Sequence, residues 1–473
     1  MIKTLAQKEL VSARRDKRFM LLGAITVLLL MVAAVSGVVS YNQLSTERAV
    51  AQHAADHNFK SQPARHPHRM AHYGSYAFRP KSSLSFFDFG LDTYTGTMVY
   101  LEAHQQNSAN FSAVQQSGGL LRFGEMTVAF VLQWLIPLLI IFLTFNTFTQ
   151  EKEQETVKVL LSQGLTIAQI AQAKLQGYAW ALALIIVPAL LAASLFLLLA
   201  NGLSIDADFL LRLLLFFAAY LVYFFIFLAG SILISALNQH SRSALLLLLG
   251  IWITACVIMP KVTANWGSLL YQTPTKAEMD ATVHHAASHG INGHNPQDKR
   301  TAEFTKTLLA KYHVDSVSQL PVNIDGLVMA EGEAYSSKVY AREFDKLADT
   351  YHRQSSVSEW AGLLNPYLAI RYVSMALAGT DAAHYVHFLK AAEAYRYGLA
   401  QHLNQLQATQ LHYHDKETRL DNSHWKSYPA FTYQEPSVMW ALSRHWVSVA
   451  ALLLWGGLLY FFFTQLITRY FTL

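Results

Sequence analysis

Six long apolar stretches, separated by polar segments, dominate the chain. Each holds about 20 mostly apolar residues, the length that a helix rising about 1.5 Å per residue needs to cross a bilayer. The pattern therefore predicts an all-α polytopic membrane protein with six transmembrane helices. The predicted spans are residues 19–40, 126–148, 175–200, 209–237, 243–260 and 446–468.

The first span follows a cluster of basic residues, which makes the N-terminus resemble a signal peptide. The cluster consists of Arg14, Arg15, Lys17 and Arg18. The apolar run behind it is long enough to cross the membrane fully, so we expect an uncleaved anchor.

Basic residues near the span ends predict the orientation, because lysine and arginine concentrate on the cytosolic side. They occur before the first span, in the segment after the second span and at Arg242, whereas the loop 201–208 carries only Asp206 and Asp208 as charges. We therefore expect a multi-pass protein of the bacterial inner (cytoplasmic) membrane with both termini cytosolic. The segments 41–125 and 261–445 would then be extracytoplasmic.

The first of these segments, 41–125, begins with residues compatible with a helix and then becomes loop-like through several prolines. Within it, the stretch from Phe86 to Gly90 holds three phenylalanines. A local core is the ordinary explanation of such a cluster, and a membrane-surface contact or a partner-binding patch is the alternative.

The second segment, 261–445, is long enough to form a mainly helical extracytoplasmic domain. One helix is predicted within residues 328–359, with an apolar stripe at Tyr340, Phe344, Leu347 and Tyr351. A second is predicted from about Asp381 to Gln410. Helix boundaries are predicted at Asn365-Pro366 and at Gly379-Thr380-Asp381.

Composition agrees with a lipid-facing protein, since 53% of the 473 residues are hydrophobic and 14% are charged, against about a quarter charged in soluble domains. The net charge of +5 is mild. Its cytosolic share lies beside spans, which indicates membrane orientation and no nucleic-acid partner. The single cysteine, Cys256, excludes a disulfide within the chain.

Catalytic motifs are absent from the sequence. It has no G-x-x-x-x-G-K-[ST] phosphate loop, so it is not itself an ATPase, and no G-x-S-x-G, H-E-x-x-H or C-x-x-C motif. The spans hold almost no ionisable residue away from their ends, which argues against an ion-coupled transporter. We expect a non-enzymatic chain that depends on an external energy source.

The segment from Gln150 to Gly177, between the second and third spans, combines charges with ordered apolar residues. Alternating charges give way to the apolar run 157–161, the turn 162–164 breaks it, and Thr166 can cap a second short helix leading to Lys174. This pattern predicts a helix-turn-helix that presents an amphipathic surface to the cytosol.

That segment resembles the coupling region of the ABC-2 type permease family, which typically reads E-K-E-x-G-T-x-x-x-L-L-S-x-P-x-S-x-x-x-x-x-x-K. The chain departs from this pattern with Glu155 at the family's glycine and with Gly164-Leu165 near its usual proline. The matching residues are Glu151, Lys152, Glu153, Thr156, Leu160, Leu161, Ser162, Thr166 and Lys174.

The resemblance implies that residues 149–174 form the coupling helix region, which docks on a separate ABC ATPase. Residues 1–18 look like the family's interfacial elbow helix. ATP and Mg²⁺ would be bound by the partner, and no cofactor, metal or catalytic residue is expected in this chain. The residues expected to couple to the ATPase are Glu151, Glu153, Thr156, Leu160, Leu161, Ser162, Gly164 and Lys174.

The outer segment resembles a subgroup of the same family that has a large helical extracytoplasmic insertion before its last span, similar in layout to permeases of the NosY type. The stretches that carry this likeness are 364–366, 374–381, 387–388 and 392–396.

The function expected from both resemblances is that of the permease subunit of an ATP-driven exporter with an amphipathic or unknown substrate. Its partners would be an ABC ATPase dimer, a second copy or sister permease, and the lipid bilayer. The alternative is mechanotransmission, in which the outer domain acts on a periplasmic partner without substrate passage.

The chain has 20 histidines, and three groups have spacings that could ligate a metal. A solvated polar surface is the ordinary alternative, and no cysteine or dense carboxylate set completes a site. We therefore expect no metal. The groups are His66, His68 and His72; His284, His285 and His289; and His412 and His414.

Overall fold

The structure is a computed structural model that describes residues 2–112, 126–201, 206–291, 298–413, 415 and 417–469. In these residues, six helical segments are long and apolar enough to cross a membrane. The predicted fold class is confirmed: the chain is an all-α polytopic membrane protein. The six segments are Lys17–Lys60, Val128–Glu153, Ile167–Phe196, Ala207–Leu237, Ser241–Leu270 and Trp446–Gln465.

The N-terminal part alternates membrane helices with shorter elements. In chain order it contains α1 (Ile2–Arg15), α2 (Lys17–Lys60), α3 (Pro67–Tyr73), β1 (Ser75–Phe78), β2 (Met98–Glu102), β3 (Gln105–Gln106), α4 (Val128–Phe130), α5 (Ile136–Thr144), α6 (Thr149–Glu153), α7 (Thr156–Ser162), α8 (Ile167–Asn201), α9 (Ala207–Leu237), α10 (Ser241–Ile253) and α11 (Met259–Leu270).

The C-terminal part consists of helices joined by irregular segments in its described residues and ends in the last membrane helix. It contains α12 (Lys276–Ala287), α13 (Lys299–Tyr312), α14 (Ile324–Trp360), α15 (Pro366–Ala378), α16 (Ala382–Gln410), α17 (Ser423–Lys426), α18 (Val438–Arg444) and α19 (Trp446–Arg469).

Several helices continue well past the apolar stretches that predicted them. α2 has 44 residues, so about half of it extends beyond the predicted span 19–40. Likewise, the segment Ser241–Leu270 passes the predicted end at residue 260 and packs on α14. Hydropathy indicates only the part of a helix that contacts lipid. The backbone hydrogen bonds of the helix can continue beyond that part, where the helix packs against the rest of the protein.

Residues 61–112 and the described residues of 271–445 pack together as one extramembrane domain. α3 and β2 both lie against α16, and the backbones of Arg65 and Leu420 form an isolated bridge. The three strands form an antiparallel sheet in the order β1-β2-β3. Sequence reasoning gave this region as a loop, although the alternating burial of β2 is the ordinary strand pattern.

Helix ends in the extramembrane domain agree with the sequence. Asn365 caps α15, with Pro366 in its first turn, and Gly379 ends that helix with φ near 70°. Asp381 then caps α16 by accepting a hydrogen bond from the backbone N–H of His384. The prediction of a helix from about Asp381 to Gln410 is confirmed.

The predicted apolar face of the other long helix is not the buried one. Tyr340, Phe344 and Leu347 are only half-buried, and Tyr351 is exposed. The fully buried positions of α14 include small and charged residues. This happens because α14 lies against α16 through close backbone approach and ion pairs, which a periodicity of apolar side chains does not detect.

The phenylalanine cluster is buried, but in the core of the membrane helices rather than in the local core that the sequence favours. Phe86 and Phe87 are fully buried, and the ring of Phe87 stacks on Phe216 of α9 with a centroid distance of 5.1 Å. The extramembrane segment is thereby anchored in the largest hydrophobic cluster, which also includes the membrane helices.

Two membrane helices contain a π-helical segment, Val131–Leu135 and Thr254–Ile258. A π turn leaves backbone carbonyls without their usual helical donor. Neighbouring side chains supply donors: the Tyr223 hydroxyl to Gln133 O at 2.9 Å, the Trp252 indole to Trp134 O at 3.2 Å, and the Asn365 amide to Ala255 O at 2.8 Å.

Candidate functional site

A buried lysine is the centre of the predicted coupling region. Lys174 of α8 is 2% exposed, and its Nζ lies 2.8 Å from Glu151 Oε1 and 3.4 Å from Glu9 Oε1. An ammonium group in such a place needs paired carboxylates, because an isolated buried charge is very costly. The contact joins α6 and α8 to α1, which is 165 positions from Lys174 at Glu9.

The same region is tied to the turn between α9 and α10. Glu153 accepts hydrogen bonds from the backbone N–H of Ser241 at 2.8 Å and from its hydroxyl at 3.0 Å. Lys152 donates to the carbonyl of Asn238 at 3.0 Å. The charged stretch 151–153 is thus a junction between four membrane helices rather than a solvated loop.

α7 follows this junction and is the most exposed part of the region. None of its residues is fully buried, and Val159 is 55% exposed. Leu160 and Leu161 instead pack partly against the main hydrophobic cluster. The exposed apolar group available to a partner is therefore Val159, a residue absent from the sequence-predicted set.

The turns around α7 need unusual backbone conformations. Glu155, directly before α7, has φ of 58°, and Gly164, two residues after its end, has φ of 85°. Both values lie in the left-handed region, which glycine adopts without steric cost. After the second turn, Thr166 accepts from the backbone N–H of Gln169 and begins α8, which continues as the third membrane helix instead of ending as the predicted short helix.

The predicted coupling residues therefore fall into two groups. Glu151, Glu153 and Lys174 lie at the junction, where Glu151 pairs with the buried Lys174 and the exposed Glu153 binds Ser241. The other five residues lie on or beside α7: Thr156, Leu160, Leu161, Ser162 and Gly164.

Gly177 allows α1 to approach α8 closely, a role that the sequence pattern does not predict. A Cβ added at Gly177 would lie 2.6 Å from the Cβ of Glu9 and 2.7 Å from the carbonyl oxygen of Ala6. Both neighbours belong to the buried face of α1. A single sequence gives no sign of this role, because the contact joins residues about 170 positions apart.

A second polar cluster lies at the start of α9. The other end of α9 is at the coupling region, where the Ser235 hydroxyl accepts a hydrogen bond from the backbone N–H of Phe148. Arg212 is 2% exposed and donates to Asp208 at 2.6 Å, to Leu377 O at 3.3 Å and to Pro436 O. The feature of the sequence that could have indicated this cluster is the charged residue Arg212 inside the predicted span 209–237. It connects α9 to the extramembrane domain.

A buried imidazole links three further helices beside this cluster. His445 lies 3.1 Å from Asp381 and 3.2 Å from Glu359. Burial opposes the charged imidazole, but hydrogen bonds and charge from the two carboxylates outweigh it and raise the pKa of His445 to about 9. Burial also opposes the charge on Asp381, yet its contacts with His384 and His445 hold the pKa of Asp381 well below its usual value.

A cavity of about 500 Å³ opens next to these charges, between the extramembrane domain and the membrane helices. Its walls include Asp381, Glu359 and His445 together with Arg371 and apolar residues of α11 and α16. A second cavity of about 580 Å³ shares Arg371 with it and reaches Gln133 in the bundle.

The histidine groups have different outcomes in the structure. His284, His285 and His289 are exposed, and so is His412, whereas His414 lies outside the described residues. His66 caps α3 through its ring nitrogen. His68 and His72, however, meet His104, and the three offer ligand atoms within 4.8 Å of one another.

Comparison with known proteins gives one family. Residues 276–434 match a family described as a domain of unknown function (DUF3526), which covers α12 to α17. No curated protein matches the chain.

Proposed function

We propose that the chain is the membrane-spanning permease subunit of an ATP-driven ABC-2 type exporter whose ATPase is a separate chain. The observation that carries the proposal is the Glu9–Lys174–Glu151 junction, which joins the N-terminal helix, the segment between the second and third spans, and α8. A force applied at α7 would reach several membrane helices through this junction.

The geometry also supports a docking role for α7. It stands between two spans, is held at both ends by tight turns, and exposes Val159 beside the charged pair of Lys158 and Glu155. An apolar contact surrounded by charges is the usual composition of a protein interface. We assign this surface to the ATPase, at the cytosolic side of the bacterial inner membrane, with both termini on that side.

The polar groups inside the bundle favour an amphipathic substrate over a hydrophilic ion. Gln133 donates to the Tyr220 hydroxyl at 2.8 Å, and Thr144 donates to Ile140 O at 2.7 Å, so both groups are satisfied within the protein. The two cavities combine apolar walls with Arg371. A second copy or a sister permease would complete the pathway.

The test is co-purification with the cognate ATPase. Val159→Asp places a charge on the proposed docking surface and should abolish assembly and stimulation of ATP hydrolysis, because an unpaired charge at an interface is costly. Val50→Asp is the matched control, since Val50 is 63% exposed and lies on the extension of α2 toward the extramembrane domain. Unchanged assembly of the Val159 variant would refute the docking role of α7.

Mechanotransmission is the second candidate, and one observation favours it. The segment Ser241–Leu270 runs from the Glu153 contact to α14 of the extramembrane domain without a break. Movement at the coupling region would therefore reach this domain directly. Replacing residues 276–434 with a flexible linker distinguishes the two: an exporter should keep ATP-dependent transport in liposomes, whereas a mechanotransmitter should keep ATPase activity and lose its cellular effect.

A further inference from the structure

We propose that His68, His72 and His104 form a binding site for one Zn²⁺ ion in the extramembrane domain. The three side chains offer ligand atoms that all lie within 4.8 Å of one another. Neutral imidazole is a preferred ligand of zinc, and three protein ligands with an open fourth position are a common zinc arrangement. The site goes beyond the proposed transport function and does not depend on it.

The first two ligands are preset by a helix. His68 and His72 are four residues apart on α3, so both rings lie on the same face. Their Nε2 atoms are 3.2 Å apart. Two nitrogens at about 2.0–2.1 Å from a tetrahedral zinc ion lie about 3.3 Å apart, so this pair already has the required separation.

The third ligand arrives from the sheet, through contacts that fix the turn after β2. Ala103 N donates to Ala71 O at 3.2 Å, and the Tyr100 hydroxyl donates to Tyr73 O at 2.9 Å. Ala71 and Ala103 are buried in the same small hydrophobic cluster. His104 itself has φ of 70°, an unfavourable backbone conformation for a residue with a side chain, which directs its ring toward α3.

A buried carboxylate orients His104. Glu333 of α14 is fully buried; its Oε2 accepts from the backbone N–H of His104 at 2.8 Å and lies 3.3 Å from His104 Nδ1. This leaves Nε2 as the ligand atom. A carboxylate that holds the second nitrogen of a zinc-bound histidine is a common outer-shell arrangement, because it fixes the ring and makes it a better ligand.

The carboxylate is in turn held by the domain core. Arg396 of α16 lies 2.6 Å from Glu333 Oε1 and also donates to Glu102 O at 3.0 Å. A bound ion would therefore connect α3 and the β2–β3 turn to α14 and α16. His72 is exposed, so the ion can enter from solvent. Closing the remaining distance to His104 requires a movement of about 1–2 Å, within the range of side-chain adjustment.

Zinc binding to the full chain, purified in detergent without a histidine tag, tests the proposal. Competition with a chromophoric chelator should give one Zn²⁺ per chain for the wild type. His104→Ala and His72→Ala should each weaken that affinity by at least about tenfold, since even outer-shell partners cost 10–100-fold. His72→Ala is the safer variant because this side chain is exposed.

The matched control is His289→Ala. His285 and His289 also lie four residues apart in sequence, with ring centroids 5.0 Å apart, but the described residues bring no third histidine to them. The control should bind zinc like the wild type. No stoichiometric binding by the wild type, wild-type affinity in both His72→Ala and His104→Ala, or loss of binding in His289→Ala would overturn the proposal.

Discussion

Gly177 lies against Glu9 so closely that no side chain fits between them. A Cβ at Gly177 would stand 2.6 Å from the Cβ of Glu9, with the backbone of α1 almost as near. The position therefore sets the distance at which α1 crosses α8, and with it the distance between the Glu9 carboxylate and Lys174.

We predict that Gly177→Ala destabilises the protein by about 1–3 kcal/mol, the usual cost of overpacking. The thermal unfolding temperature in detergent measures the effect. Gly250→Ala is the control, because Gly250 lies within α10 and a Cβ there would meet nothing within 4 Å. Equal unfolding temperatures for the two variants would show that the approach of α1 is not constrained at Gly177.

Removing the buried ammonium group of Lys174 should destabilise the protein more than Gly177→Ala does. Lys174→Met leaves Glu9 and Glu151 as close, partly buried like charges, and breaking such a pair costs about 3–5 kcal/mol. The triple variant with Glu9→Gln and Glu151→Gln should recover much of the loss, since no buried charge is then left unpaired. Lys8, which also contacts both carboxylates, is mostly exposed to solvent. Lys158→Met is the control, because its pair with Glu155 is exposed and worth at most about 1 kcal/mol.

Substitutions in the two turns around α7 should change the stability of the protein in opposite directions. Glu155→Gly should stabilise the protein by up to about 1 kcal/mol, because glycine has no steric cost at φ near 58°. Gly164→Ala should destabilise it by a similar amount, although a Cβ there meets nothing within 4 Å. Unfolding temperatures that move in the same direction would contradict this assignment.

The His445 contacts predict a loss of stability in alkali. Because the pKa of His445 is raised to about 9, the imidazolium stabilises the fold fully when the pH is below about 6.5, the ordinary pKa of histidine. This stabilisation decreases as the pH rises to 9. The contribution is about 3 kcal/mol at most, since one pKa unit corresponds to about 1.4 kcal/mol. The pKa of Asp381 is lowered, so its carboxylate stabilises the fold at any pH above the ordinary pKa of aspartate, and this stabilisation is lost only in acid.

Unfolding temperatures measured between pH 6 and pH 9.5 test this dependence. The wild type should decline across that range, and His445→Gln should start lower and decline less. His53→Gln, at an exposed position of α2, should follow the wild type. Parallel curves for the wild type and His445→Gln would show that the imidazole does not gain charge on folding.

The orientation can be tested with single cysteines in a Cys256→Ser background. Gln163→Cys and Gln405→Cys occupy exposed positions at the coupling region and in α16. A membrane-impermeant maleimide should label them from opposite sides of the inner membrane, with Gln163 reached only from the cytosol. Labelling of both from one side would contradict the six-span topology.

Features encoded within a few residues were predictable from the sequence. The caps at Asp381 and Thr166 and the stop at Gly379 depend on local hydrogen bonds and backbone conformation. The six spans depend on length and hydropathy alone. These properties require no knowledge of what the rest of the chain does.

Features that join distant residues were not predictable. Lys174 and Glu9 are 165 positions apart, and Arg396 and Glu333 are 63 apart. His104 stands alone in the sequence and gains its neighbours only because β2 pairs with β1 and Ala103 contacts α3. The stripe predicted on α14 was wrong because glycines and glutamates share its buried face with apolar side chains at other positions, such as Val328 and Val339.

The π segment at Thr254–Ile258 divides a 30-residue rod into a membrane arm and an outer arm. At 1.5 Å per residue the outer arm, from Ala255 to Leu270, is about 23 Å long, so pivoting it by about 5° moves its far end by about 2 Å. Asn365 binds the carbonyl of Ala255 at that pivot, and α15 begins at the next residue. Small angular changes near Glu153 would thus be passed on as ångström-scale displacements of α14, with Asn365 at the pivot.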